Sequence, residues 1–161
     1  MNKPRLAAFF WIFALFLLQN GIGLAFPGVL PALVITGVLF FALLEGPAFG
    51  FVLGCYAGIF FEIFGVGRMG FEILFFGLLG LAAGSGASAI FRDGWFAKFV
   101  FPVVAVYAAS FFHLFTAKIG ADEAAGPWLI LESFSWPVLF WTAASSPAVF
   151  FFLRKVSKPA R

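Results

Sequence analysis

Few side chains in this sequence could do chemistry, and the ones that could meet are Glu62, Arg68, Glu72, His113 and Glu132. Carboxylates with a histidine form a donor set that zinc accepts. A carboxylate beside a guanidinium forms an ion pair, and one held among apolar groups keeps its proton. Patterns that would turn such groups into an enzyme are missing. The single histidine rules out the paired-histidine helix of metalloproteases, and there is no serine elbow and no phosphate-binding loop. Cys55 is the one cysteine, so no internal disulfide or cysteine cage forms, and it reads as a small apolar filler. His113 reads as a helix-end residue, and Glu72 and Glu132 as interfacial acids reaching for water. Glu62 is different because of where it stands. No catalytic, metal or cofactor site is expected.

Glu62 ends the run GFVLGCYAGIFFE, in which Gly50, Gly54 and Gly58 precede it at intervals of four residues. Four residues is about one helical turn, so all four project from one slanting ridge. In water such a helix loses about 1 kcal/mol per glycine against alanine. In lipid a glycine ridge lets two backbones touch, and an acid on that ridge needs a protein neighbour. Glu62 is therefore expected either to pair with a cation such as Arg68 or to hold a proton.

Composition sets the solvent. Of 161 residues, 63% are hydrophobic and 11% charged, where soluble domains carry about 25% charged residues. The mean hydropathy is +1.08. Phenylalanine, at 27 residues, fills volume and faces lipid without needing a hydrogen-bond partner. The sequence predicts an all-α integral membrane protein, one polytopic domain built as a six-helix bundle. The spans are expected at about 6–19, 30–44, 48–64, 70–91, 95–115 and 128–153. Asn20, Gly21, Gly23, Pro27, Gly28 and Pro31 punctuate the first connection, and Glu45-Gly46-Pro47 makes a tight second turn. Pro102 is expected to bend the fifth span. Ser133, Ser135, Thr142, Ser145 and Ser146 in the sixth read as interhelical hydrogen-bond donors; Pro137 and Pro147 are expected to kink that span, where nearby hydroxyls can satisfy freed carbonyls. Trp11, Trp95 and Trp128 suit interfacial anchoring.

With six spans both ends share a side. Of the 10 Lys and Arg residues, all but Arg68 and Lys118 then fall on that side, which places both termini in the cytoplasm. The segment from Arg154 to Arg161 reads as a basic tail suited to anionic headgroups. Nucleic acid is excluded as a partner, because the basic residues form no face. A competing reading of the first span is a cleaved signal peptide, with Lys3 and Arg5 ahead of an apolar run and Gly23-x-Ala25 as the cleavage site.

The third and fourth spans form an antiparallel hairpin across Gly65–Gly70. A symmetric turn sets Gly58 opposite Gly77, Gly54 opposite Gly80 and Gly50 opposite Gly84, so that each smooth patch meets another. Glu62 and Glu72 then lie at similar depth with Arg68 between them, and His113 and Glu132 belong to the same leaflet.

The run from Leu17 to Phe91 resembles the bacterial rod shape-determining protein MreD family. The features that carry the resemblance are Leu18-Gln19, Leu30-Pro31-Ala32-Leu33, Gly46, the ridge Gly50, Gly54 and Gly58 followed by Glu62, and Gly70. The chain departs from the family at Ala32 and Glu62, where aspartate is usual, and little matches from Trp95 onward. The resemblance implies a non-enzymatic, multi-pass component of the cell-wall elongation machinery in the bacterial inner membrane. Its partners would be a bitopic MreC-like protein, a RodA-type glycosyltransferase, a penicillin-binding transpeptidase and MreB filaments. It also implies a fold similar to the substrate-binding subunits of energy-coupling-factor transporters.

The residues themselves leave a second function open: a substrate-binding subunit of a vitamin-type carrier. It would use Glu62, Arg68, Glu72, His113 and Glu132 as an outward-facing pocket, with Lys118–Pro127 as its lid. An intramembrane hydrolase is the more distant alternative.

Overall fold

The computed structural model describes residues 3–25, 32–64, 70–86, 101–112 and 136–157. All are helical or in short turns, and they form six helices: α1 (Lys3–Ala25), α2 (Leu33–Glu45), α3 (Pro47–Phe64), α4 (Phe71–Gly86), α5 (Phe101–Phe112) and α6 (Trp136–Ser157). Three are long and apolar enough to cross a membrane, over Arg5–Ala25, Pro47–Phe64 and Pro137–Lys155, and the others are shorter apolar helices. Large side chains on their outer faces are bare, among them Phe10 at 64%, Phe111 at 67% and Phe151 at 74% exposure. Water would not tolerate so much uncovered apolar surface, and lipid does.

α2 is the centre. Every residue from Leu33 to Leu43 is buried, so the helix has no outward face, as expected of a helix apolar all round. α1, α3, α4 and α6 all pack on it. α1 runs antiparallel to α2, with Arg5 beside Glu45 at one end and Gln19 beside Val34 toward the other. Gly37 of α2 lets α1 close in, since a Cβ there would lie 2.6 Å from a methyl of Leu15. α6 runs parallel to α2, touching it through Thr142 at Ala32 and through Phe150 against Phe40. An aromatic seam joins α1 to α3, with Phe9 on Phe49 and Tyr56, and Phe16 on Phe60, Phe61 and Phe64. The end of α5 lies against the start of α4, where Phe112 stacks on Phe75 at 4.9 Å.

Among the described residues, α3 and α4 make the most extensive contact. Their backbones meet along the glycines. A Cβ on Gly50 would strike the Gly80 carbonyl, one on Gly54 the Phe76 carbonyl, and one on Gly58 the Glu72 carbonyl. In the other direction, Gly80 faces Gly50, Gly84 faces Gly46 and Pro47, and Gly77 faces Phe51 and the Cys55 sulfur. All six of these glycines lie at the α3–α4 contact. Their pairing is about one turn away from the expected register, in which Gly50 faced Gly84 and Gly58 faced Gly77. The reason lies at the start of α4.

Several boundaries also differ from the sequence expectation. α1 does not stop near Gln19 but continues through Asn20, Gly21 and Gly23 to Ala25. The Asn20 amide donates to the Phe16 carbonyl 2.8 Å away, so it turns back onto its own helix instead of ending it. α6 runs on to Ser157, taking Arg154 and Lys155 into its last turn. Pro137 is the second residue of α6, where its missing N–H costs nothing, so it does not kink the helix. Pro102 likewise sits in the first turn of the described part of α5. Pro147 is internal, and the carbonyl it leaves, that of Ala143, accepts the Ser146 hydroxyl at 3.2 Å. Between α2 and α3, Gly46 adopts φ +94, a left-handed conformation that suits glycine, and Pro47 starts the next helix.

The seam yields a direct test. Gly54→Ala places a methyl against the α4 backbone and is expected to destabilise the protein by about 1–3 kcal/mol. Gly21→Ala, at a helical glycine with nothing within 4 Å of its would-be Cβ, should be neutral or gain up to ~1 kcal/mol. Unfolding in detergent, followed by far-UV circular dichroism, compares the two. Equal stability would contradict the backbone contact.

Candidate functional site

Helix starts carry amide N–H groups with no partner in the helix itself. Where water is absent each needs another acceptor, and in lipid the requirement is strict. α2, with 13 residues, is about 20 Å long and cannot cross a hydrocarbon layer of about 30 Å. Its first turn lies beside Gln19, which stands about 21 Å along α1 from Arg5 at ~1.5 Å per residue. The residue ahead of α2 is Ala32, which has no side-chain oxygen to offer.

Other helices supply what Ala32 lacks. The Val34 N–H donates to Gln19 Oε1 of α1 at 3.1 Å, and the Ala32 N–H donates to Thr142 Oγ1 of α6 at 3.0 Å. In an ordinary capping box one residue accepts an amide inside the first turn and another accepts the amide of the cap itself. Here those two acceptors come from two other helices. Thr142 was expected as a donor between helices; its oxygen acts instead as an acceptor, and the residue is fully buried. Within α2, the Thr36 hydroxyl donates to the Ala32 carbonyl at 3.0 Å, so this buried side chain is also satisfied.

The start of α4 is built the same way. Gly70, ahead of the helix, has no side chain and adopts φ +95. Glu62 Oε1, from the last turns of α3, accepts the N–H groups of Gly70 at 2.6 Å, Glu72 at 3.1 Å and Ile73 at 3.2 Å. A cap side chain normally accepts from the second or third residue of the helix, and Glu62 does this from outside. This oxygen also faces the positive end of the α4 dipole. Glu62, expected either to pair with a cation such as Arg68 or to hold a proton, bonds backbone amides through this oxygen, and Arg68 lies outside the described residues. Because helical side chains lean toward their own N-terminus, Glu62 reaches back to the level of Gly58. That draws the start of α4 to Gly58 and accounts for the shifted register.

Glu72 follows in the first turn of α4 and is only 7% exposed, so it is not the water-facing interfacial acid expected of it. Glu62 and Glu72 therefore do come together at one helix start. Arg68, His113 and Glu132, the rest of the expected polar cluster, lie outside the described residues, as do Trp95, Trp128, Ser133, Ser135 and the segment Lys118–Pro127. Among the described residues, no three His, Cys, Asp or Glu residues gather closely enough to hold a metal ion. Trp11 is half-buried and packs edge-on to Phe152.

One polar contact had no counterpart in the sequence reading. Arg5 Nε donates to Glu45 Oε2 at 2.8 Å, and its guanidinium sits 5.6 Å from the Phe49 ring centre. Glu45 ends α2, where an acid opposes the helix dipole, and Arg5 offsets it. Both side chains are partly exposed, so the pair contributes about 0–1 kcal/mol. It locates the ends of α1 and α2 more than it stabilises them.

No family model, curated protein or solved structure matches the chain.

The borrowed caps are expected to carry measurable stability. Glu62→Ala removes the acceptor of three amides and should cost about 1–3 kcal/mol, with Glu62→Gln losing less because it keeps an oxygen there. Thr142→Val preserves shape and should cost about 1–2 kcal/mol. Thermal unfolding in lipid nanodiscs reads all three. Wild-type stability of Glu62→Ala would show that α4 does not depend on this oxygen.

Proposed function

We propose that the chain is a non-enzymatic scaffold of the bacterial cell-wall elongation machinery, of the kind the MreD family provides. On this reading it sits in the inner membrane with six spans and both termini in the cytoplasm. The observation that carries it is the direction in which the resembling residues point. Gln19 closes the start of α2, Gly50, Gly54 and Gly58 lie on the α4 backbone, and Glu62 closes the start of α4. Each is spent on the chain's own backbone. A carrier's binding pocket would need such groups turned toward a ligand, and Glu62 already accepts three amides. Partners in this reading are gripped through helix faces and short loops: a bitopic MreC-like protein, and with it a RodA-type glycosyltransferase, a penicillin-binding transpeptidase and MreB.

Depletion in a rod-shaped host that encodes the protein should give round, widened cells, and the MreC-like protein should co-purify with it. Normal width and growth after depletion would refute the scaffold. A small molecule retained through purification and seen by mass spectrometry would favour the carrier instead. Glu62→Ala should lower the amount of protein in the membrane, with shape failing in proportion. A full loss of function at normal abundance would instead assign Glu62 a direct role.

A further inference from the structure

α1 and α6 both pack on α2 and touch each other where Trp11 lies edge-on to Phe152. Between them runs an apolar groove of about 390 Å³, lined by Trp11, Ala14, Leu15, Leu18, Ala148, Val149 and Phe152. Its size falls within the range of clefts that hold small ligands, roughly 300–1,000 Å³. Ala14 and Ala148 leave it room, while Leu18 at 54% exposure and Phe152 at 48% stand up at either end. Those two side chains obstruct a second helix, which is about 10 Å wide and needs a continuous strip of small residues. A flexible chain can lie between them.

The charge beside the groove says what the chain carries at its head. Leu153, 1% exposed, points to the core, so Phe152 and Arg154 leave α6 on opposite flanks. Ala148, Phe152 and Lys155, at helical spacing, share the groove side. Lys155 is exposed in the last turn, and its aliphatic stem can run along the groove while the ammonium seeks the interface. Arg5 opens α1 at the same end, where it pairs with Glu45, and the last turn of α6 adds Arg154 and Lys155 there. A positive margin at the end of an apolar groove complements an anionic phospholipid.

We propose that the α1–α6 groove holds one acyl chain of an anionic phospholipid whose phosphate rests at Lys155. The site depends on two observations together, the groove and the lysine that borders it. It does not depend on which side of the membrane that end occupies.

Native mass spectrometry of the full chain, released from micelles containing equal phosphatidylglycerol and phosphatidylcholine, tests this. One phosphatidylglycerol is expected to survive collisional activation that strips phosphatidylcholine. Lys155→Glu should reduce its occupancy about fivefold or more, while Arg154→Glu, on the opposite flank and with the same change in net charge, should leave it unaltered. Ala148→Phe fills the groove and should reduce both lipids together. If Ala148→Phe fails to give wild-type helicity and elution, Lys155→Glu at the surface decides alone. Equal retention of the two lipids, unchanged occupancy in Lys155→Glu, or a lipid-free dimer joined through this face would each overturn the proposal.

Discussion

An amide at the start of a helix must find an oxygen, and in a layer without water that oxygen must come from protein. The bundle is arranged around this demand. α2 and α4 are the two helices whose starts the structure shows closed by other helices, and they begin after Ala32 and Gly70, residues that cannot cap. Gln19 and Thr142 serve the first start, and Glu62 the second. Each cap is also a tether. Sliding α2 along α1 or α6 would leave amides bare in lipid, where each unpaired group costs several kcal/mol. α2 is apolar on every side and could rotate or shift without changing its hydrophobicity. The two acceptors at its first turn fix its depth where apolar packing alone discriminates poorly.

The same argument resolves the register of the glycine hairpin. Glycines four apart repeat nearly once per turn, so moving α4 by one turn again brings bare backbone to bare backbone. Gly50 meets Gly80, and a one-turn shift would set Gly84 there instead, again without a side chain. Close packing is therefore permissive across several registers. The carboxylate of Glu62 is not, because its oxygen reaches one set of amides, those of Gly70, Glu72 and Ile73. The glycines allow the helices to touch, and the acid chooses where.

What could be read from the sequence follows the range of the interaction. Apolar composition and proline–glycine breaks are local, and they locate α3 and the Gly46–Pro47 turn well and show that α1 and α6 exist, though not their ends. The hydroxyl that repairs the Pro147 break is also local, since Ser146 adjoins it. Asn20 and the glycines beside it look like a break in isolation. They are helical because the Asn20 amide has a carbonyl one turn back to bond. The acceptors for α2 could not be found by spacing, since Ala32 and Thr142 are 110 residues apart in the chain. The available signal was negative: a helix start with no capping residue inside a membrane chain implies a cap from elsewhere. Glu62 shares a ridge with glycines, which marks it in the sequence, but the amides it reaches depend on a register that a symmetric turn misplaces by one helical turn.

Turning polar side chains inward has a consequence for anything that binds from outside. The faces left to lipid are coated with large apolar groups such as Phe10, Phe140 and Phe151. Helices in a bilayer gain nothing from hydrophobic burial against one another, because lipid is as apolar as they are. A partner helix must therefore win by shape or at the membrane margins, where Arg5, Glu45 and Lys155 stand. On the scaffold reading, lipid and partner compete wherever their surfaces overlap. A lipid held in the α1–α6 groove would weaken a partner docking there, and leave one that grips the α3–α4 hairpin unaffected. The capped, glycine-packed hairpin is the more rigid candidate for such a grip, since its two backbones are already in contact and lose little freedom on binding.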